Sequence, residues 1–278
     1  MLCIILTQCV FSAQLRVSVA NRRYVTTVQD TTKAIVLTGS HTWHNMLNSG
    51  LGDPPPIFGW STYVDSLVQM GHNFVRLWTW EQSKTIINEP TYQFYFYPAW
   101  CYKRTGPGNA QDGKLKWDVD SLDAAYLTRI RGRMDTLTQK GLYFSYMLYN
   151  GWSVDNTGRG SGDVWQHHPY NSLNNVNSLN GDPGADGDGE ETHSTTSNNA
   201  YARQITYIKW LIDNLNDYDN LIWEICNEVP ETYAWVRALI DTIHNYETRT
   251  KPRQHLVWLT SDWTFLNDSL WTSNAEIV

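Results

Sequence analysis

Basic residues are in short supply in this 278-residue sequence: 21 lysines and arginines stand against 28 aspartates and glutamates, a formal net charge of −7. No basic stripe is present, so binding a phosphate backbone is excluded as the main task. Cysteine is scarcer. Of the four, Cys3 and Cys9 lie near the start, leaving Cys101 and Cys226 without metal-type spacing. That pattern gives no disulfide framework, and a chain of this length buries enough surface to fold without one. Long apolar runs are also missing. Leu2 to Phe11 matches the core of a signal peptide in length and falls far short of the ~18 residues that cross a bilayer. No Gly-x-Gly-x-x-Gly turn follows the first apolar strand, which leaves a dinucleotide-binding sheet without support. A hydrophobic share of 41% excludes a disordered chain.

Aromatics are abundant: 14 Trp, 16 Tyr and 7 Phe. Their flat apolar faces and polar edges suit cores and amphipathic ligands alike. The N-terminal run predicts a signal peptide over 1–13, a mature region over 14–278 and a secreted or periplasmic location. The competing reading is an N-terminal strand or a mis-set start. No membrane partner is expected.

Leu15 to Gln29 reads as a short hairpin-like entry. Apolar strands are then predicted at Lys33 to Thr38, Asn73 to Trp80, Leu142 to Leu148, Leu221 to Cys226 and His255 to Thr260. Stripes at helical spacing separate them, such as Leu122, Tyr126, Ile130, Met134 and Leu137, and Gly71 and Gly141 stand where helices close. The stretch before Trp117 shows no clear period. Continuous apolar strands alternating with helices predict an α/β fold with a parallel sheet covered on both faces, and a (β/α)8 TIM barrel is the best match. In a barrel the site forms at the C-terminal strand ends. The longest connection there, Gly151 to Asn199, carries Trp152, Trp165, His167, His168 and Tyr170, more aromatic surface than a plain linker needs.

Arg76 interrupts the second strand and shares a face with Phe74, Trp78 and Trp80. A guanidinium inside a barrel requires a carboxylate from another strand. The fourth strand supplies acids in Leu221-Ile-Trp-Glu-Ile-Cys-Asn-Glu228. Strict alternation turns Glu224 and Glu228 both inward, with Glu228 at the rim, where a strand-end carboxyl is placed for general acid work. Asn227 beside it can hydrogen-bond a hydroxyl.

The order of a strand with Arg76 and a later strand ending Asn227-Glu228-Val229-Pro230 resembles clan A glycoside hydrolases, the group containing family 5 cellulases and mannanases. The segments Leu37 to Trp43, Gly71 to Glu81 and Arg104 to Gly108 are similar to a cellulase-like subgroup. The resemblance implies a retaining β-glycosidase with a carbohydrate substrate and no cofactor. In it Glu228 would be the acid/base, Asn227 its hydroxyl-binding neighbour and Arg76 the support of the nucleophile. The clan's nucleophile follows strand seven, about 5–5.5 Å from the acid/base. Here about five of eight βα units are counted, with Ala275 to Val278 starting a sixth. The expectation is therefore an incomplete barrel with its nucleophile beyond the C-terminus and with sheet edges prone to aggregation. Glu81, Asp155 and Asp262 lie near strand ends without any feature that singles one out as a replacement.

The candidate substrate contacts are His41, Trp43, Trp80, Glu81, Trp152, Trp165 and His168. Trp43, Trp80 and Trp152 would stack on sugar rings, and His41 and His168 would donate to hydroxyls, whereas Trp78, Trp223 and Trp258 read as core. No metal is expected. His41 and His44 have the wrong spacing for one strand, and Asp182 to Glu190 misses the EF-hand pattern and reads as a solvated acidic loop. The alternatives are a non-catalytic carbohydrate-binding barrel, an inactive fragment and, third, a metal-dependent hydrolase.

Overall fold

The computed structural model describes residues 13–87, 92–154, 163–196, 199–228, 233–260 and 270–278. In chain order the elements are β1 (Leu15–Val17), β2 (Val25–Thr27), β3 (Asn48–Leu51), α1 (Trp60–Gln69), β4 (Phe74–Leu77), β5 (Lys84–Ile87), β6 (Tyr92–Tyr97), β7 (Tyr102–Asn109), β8 (Leu115–Leu122), α2 (Ala124–Gln139), β9 (Tyr143–Asn150), α3 (Ala200–Leu215), β10 (Leu221–Asn227), α4 (Tyr233–Thr250) and β11 (Val257–Trp258).

A parallel sheet in the order β4-β9-β10-β11 organises the chain. Each new strand joins the same edge, so the sheet is singly wound, unlike a dinucleotide-binding sheet, whose order reverses. Parallel bridges between Gly39 and Phe74 and between Trp258 and Ile277 add one segment at either edge. The described residues form an open sheet and no closed barrel.

Alternation gives the strands two faces. Outward residues, among them Val75, Leu77, Phe144, Tyr146, Trp223 and Val257, join Ile130, Met134, Leu211 and Ile240 of the helices in the main core. Full burial of such a side chain stabilises by roughly 1.5–3 kcal/mol. On the inward face Tyr143, Ile222 and Leu256 pack with Phe74 and Trp258, and Leu15, Val17 and Val25 of the predicted hairpin close that end. Helix ends follow their local chemistry. The Asp123 side chain accepts from Ala125 N at the start of α2, and Gly71 and Gly141 take positive φ after α1 and α2, which costs glycine little.

Two expectations need correction. Lys33 to Thr38 is no regular strand: Ile35 bridges Val25 antiparallel, Val36 is exposed, and only Thr38 O joins the sheet, accepting from Asn73 N and Phe74 N. The fifth strand shrinks to Val257–Trp258. The stretch without a period forms an antiparallel sheet in the order β3-β6-β5 and the β7–β8 hairpin, where irregular register hides any repeat. Of the long connection, residues 163–196 form short 3-10 turns around Trp165. A Cβ on Gly189 would stand 2.2 Å from that indole, so the loop closes only because glycine lets its backbone lie against the ring. The expected signal peptide lies outside the described residues except for Ala13, whose carbonyl accepts from the Tyr143 hydroxyl at 3.1 Å. Among the described residues no helix is long and apolar enough to cross a membrane.

Candidate functional site

Arg76 projects from β4 into the inward face and finds its carboxylate in Glu224 of β10. Its Nε lies 2.7 and 2.9 Å from the two Glu224 oxygens, and its Nη2 also donates to Oε1. Ser145 of β9 donates to Oε2 at 3.0 Å. The guanidinium lies 4.6 Å from the Trp78 ring centroid and 5.5 Å from that of Trp258. Glu224 is fully buried, so the pair offsets a desolvation cost that either partner alone would leave uncompensated.

Arg76 Nη2 reaches further, to Asn227 Oδ1 at 3.0 Å. Because that oxygen receives a guanidinium hydrogen, the amide is fixed with Nδ2 as its donor end. Nδ2 faces Asn150 Oδ1 at 3.3 Å, in register with it on β9, which leaves a second amide hydrogen for another acceptor. Strict alternation fails here. Ile225 and Cys226 both join the outer core, as Leu148 and Tyr149 do on β9, so Asn227 and not the next residue follows Glu224 on the inward side. Glu228 then leaves the strand half-buried with φ +49, a left-handed conformation that costs a non-glycine residue about 1–3 kcal/mol and concentrates at functional sites.

An aromatic wall stands beside this pair. The ring of His41 lies flat on Trp78 at 5.3 Å, Trp43 and Trp80 flank Trp78 at 6.4 and 6.1 Å, and Trp152 meets Trp80 edge-on at 5.2 Å. Trp80 Nε1 donates to Trp43 O. Trp43 remains 59% exposed while Trp78 and Trp80 are buried, so Trp43 offers a free face. Trp78 belongs to a separate cluster with Leu47, Trp80, Phe96 and Met147, apart from the helix-packed core, and its Nε1 is buried without a hydrogen-bond partner. Burial, reinforced by the charge of Arg76, lowers the pKa of His41, and burial lowers that of His44. Both imidazoles are neutral near pH 7.

Glu81, Trp165 and His168, expected to contact substrate, lie together in a buried cluster of their own. His168 Nδ1 accepts from Tyr170 N at 3.0 Å, so its proton sits on Nε2, 3.2 Å from Glu81 Oε2. Trp165 stacks on the imidazole at 5.0 Å. All three are buried. Glu81 Oε1 takes the backbone N–H of Asn150 at 2.8 Å, so this brace steadies the residue that faces Asn227. Ser145 and Asn150 were missed in the sequence. Each had a signal: a lone serine among large apolar and aromatic residues in its strand, and a strand-end asparagine matching Asn227.

Cys101 and Cys226 are free and buried, and burial raises both thiols. Asp182, Asp186 and Glu191 bring their oxygens within 4.8 Å of one another, the group among the described residues placed to hold a cation. Asp182 also accepts from Asp186 N and Gly187 N, and Glu191 from Gly184 N, so the carboxylates close the loop on its own backbone. Asp155 and Asp262 lie outside the described residues.

With this geometry in place, comparison with known sequences gives a family: the profile of DUF6298, a domain of unknown function, matches residues 89–270. The chain belongs to the DUF6298 family. That match spans the site from β7 to β10, including Asn227 and Glu228, while Arg76 precedes it. No curated protein matches this DUF6298 chain. Among solved structures it is similar to a protein from Bacteroides vulgatus ATCC 8482 classed provisionally as a glycoside hydrolase (15% identity, 96% of this chain and 41% of that one, TM-score 0.53). It is also similar to the endo-1,4-beta-mannanase of Rhizomucor miehei (14%, 91% and 67%, TM-score 0.51). A third is a family 5 mannosidase mutant from Rhizomucor miehei in complex with mannosyl-fructose (15%, 93% and 58%, TM-score 0.51). At such identities the likeness establishes a glycosidase-like fold. The DUF6298 chain spans between two fifths and two thirds of the length of these structures.

Proposed function

We propose that this protein is a glycoside hydrolase of the retaining type acting on β-linked carbohydrate, with Glu228 as acid/base and Asn227 as donor to a sugar hydroxyl. The observation that carries the reading is the Arg76–Asn227 contact, which points an amide N–H out of a buried charge network next to a strained strand-end carboxyl. Trp43 offers a flat face for the sugar ring. In the first step a carboxylate attacks the anomeric carbon, the glycosidic C–O bond breaks and Glu228 gives its proton to the leaving oxygen. In the second step Glu228 takes a proton from water, which attacks the glycosyl ester and releases the first carboxylate. Glu224 and Glu81 are both committed to structural partners, so the nucleophile is assigned to a carboxylate outside the described residues.

Hydrolysis of β-mannosides and β-glucosides, with Glu228→Gln alongside the native protein, tests the assignment. The variant is expected to lose about 10²–10⁴-fold in rate, and undiminished hydrolysis would contradict it. The same engagement of Glu224 and Glu81 favours a second reading, a carbohydrate-binding module that holds sugar on Trp43 without cleaving it. Saturable oligosaccharide binding with no hydrolysis would select that one.

A further inference from the structure

Arg133 of α2 is only 8% exposed, yet its Nε has no hydrogen-bond partner. Among the described residues the charged group acting on it is Arg129, which carries the same sign. Arg129 stands one helical turn earlier, on the same face, and its donors meet neutral acceptors, Met46 O at 2.9 Å and Asn48 Oδ1 at 2.7 Å. Burial, followed by the charge of Arg129, lowers Arg133 to about 10. It is still a cation at neutral pH.

Arg133 reaches from α2 to the first residue of α1, its Cζ 4.4 Å from the Trp60 ring centroid and 5.7 Å from that of Phe58. Contact with the aromatic faces explains why the cation tolerates the site. It leaves the donors unexplained. Trp60 Nε1, on the ring that Arg133 covers, is also buried without a partner. The helix behind it starts at Gly59 with no side-chain cap and no acid in its first turn, so its N-terminal partial charge is positive as well. Guanidinium and indole N–H groups are donors only, and buried donors are seldom left without acceptors.

We propose that Arg133, Arg129 and Trp60 Nε1 form a binding site for a tetrahedral oxoanion between α1 and α2. Phosphate or sulfate offers several acceptor oxygens and the negative charge that two like-charged guanidiniums lack. The ligand is either the free ion or a phosphate or sulfate ester of a larger molecule. The proposal does not depend on the function proposed for Glu228.

Thermal unfolding of the full chain at pH 7, in phosphate and in sodium chloride of matched ionic strength, tests the proposal, with a sulfated monosaccharide as a third arm. The midpoint is expected to rise saturably with phosphate beyond the chloride control, and tighter binding of the sulfated sugar would name the ester as the source. Arg133→Gln should weaken phosphate binding about tenfold or more. Trp60→Phe, which keeps an aromatic ring and removes the N–H, should weaken it about three- to tenfold, and it decides the matter if Arg133→Gln does not fold. Equal responses to phosphate and chloride, or an undiminished phosphate response in Trp60→Phe or a folded Arg133→Gln, would overturn the proposal.

Discussion

Arg76 and Glu224, 148 residues apart in the chain, face each other across the inward side of the sheet, with Arg76 Nε 2.7 and 2.9 Å from the two carboxylate oxygens. One guanidinium thereby neutralises a fully buried acid and, through Nη2, orients Asn227. Fold and candidate site depend on the same contact.

Breaking the pair from one side strands a buried charge. Arg76→Met or Glu224→Leu alone should lower unfolding stability by about 3–5 kcal/mol, and the double variant should lose less than the sum. Denaturant titration of the four proteins closes the cycle. Additive losses would show that the two side chains do not depend on each other.

Asn227 keeps Nδ2 as its donor end because its oxygen is taken by Arg76. Asn227→Asp should retain stability, since the new carboxylate gains a charged contact with Arg76, and should lose about 10- to 100-fold in kcat/KM, the worth of a donor to a polar group. Thermal unfolding and kinetics on one preparation check both halves.

Trp43 and His168 are expected to separate binding from folding. Trp43→Ala removes an exposed ring, so stability should stay within about 0.5 kcal/mol while oligosaccharide binding weakens. His168→Ala removes a buried brace and should destabilise the fold by more than 1 kcal/mol. Calorimetric titration and thermal unfolding of both variants distinguish the roles.

A buried network at the far end of the sheet predicts acid sensitivity. Burial alone would raise the Glu247 carboxyl. The hydrogen bond and charge of His255 and the Trp223 N–H outweigh it and hold Glu247 below its usual 4.5, with His255 Nδ1 at 2.7 Å and Trp223 Nε1 at 3.0 Å. A depressed folded value contributes stability above about pH 4.5, lost as pH falls through the folded value. Glu247→Gln should be less stable at pH 7 and should show a shallower loss of stability on acidification below about 4.5, read from unfolding midpoints between pH 3 and 7.

Much of this arrangement is legible in the residues themselves. A single arginine among apolar neighbours in β4 demands an acid from another strand, and Glu224 is where the fourth strand offers one. The helix stripes and the two closing glycines are equally plain. Strict alternation misplaces Glu228 because β9 and β10 change parity together near Leu148 and Ile225, and such a shift belongs to the pair of strands and not to either sequence. Trp165 and His168 look like ligand contacts from composition. Only the packing against Gly189 and Glu81 shows that they fill the loop's own interior. The spacing of Arg129 and Arg133 on one helix face is visible in the sequence, whereas the absence of any acid paired with them among the described residues is a property of the fold.

Glu228→Ala acting on an activated aryl β-glycoside, with and without azide, tests whether Glu228 is the acid/base of a retaining glycosidase. Azide should restore turnover and yield a β-glycosyl azide, because an enzyme lacking its acid/base still forms the glycosyl intermediate from a good leaving group and a small anion then needs no general base. Turnover equal to the native enzyme without azide, or native hydrolysis that Glu228→Ala abolishes with no azide product, would contradict it.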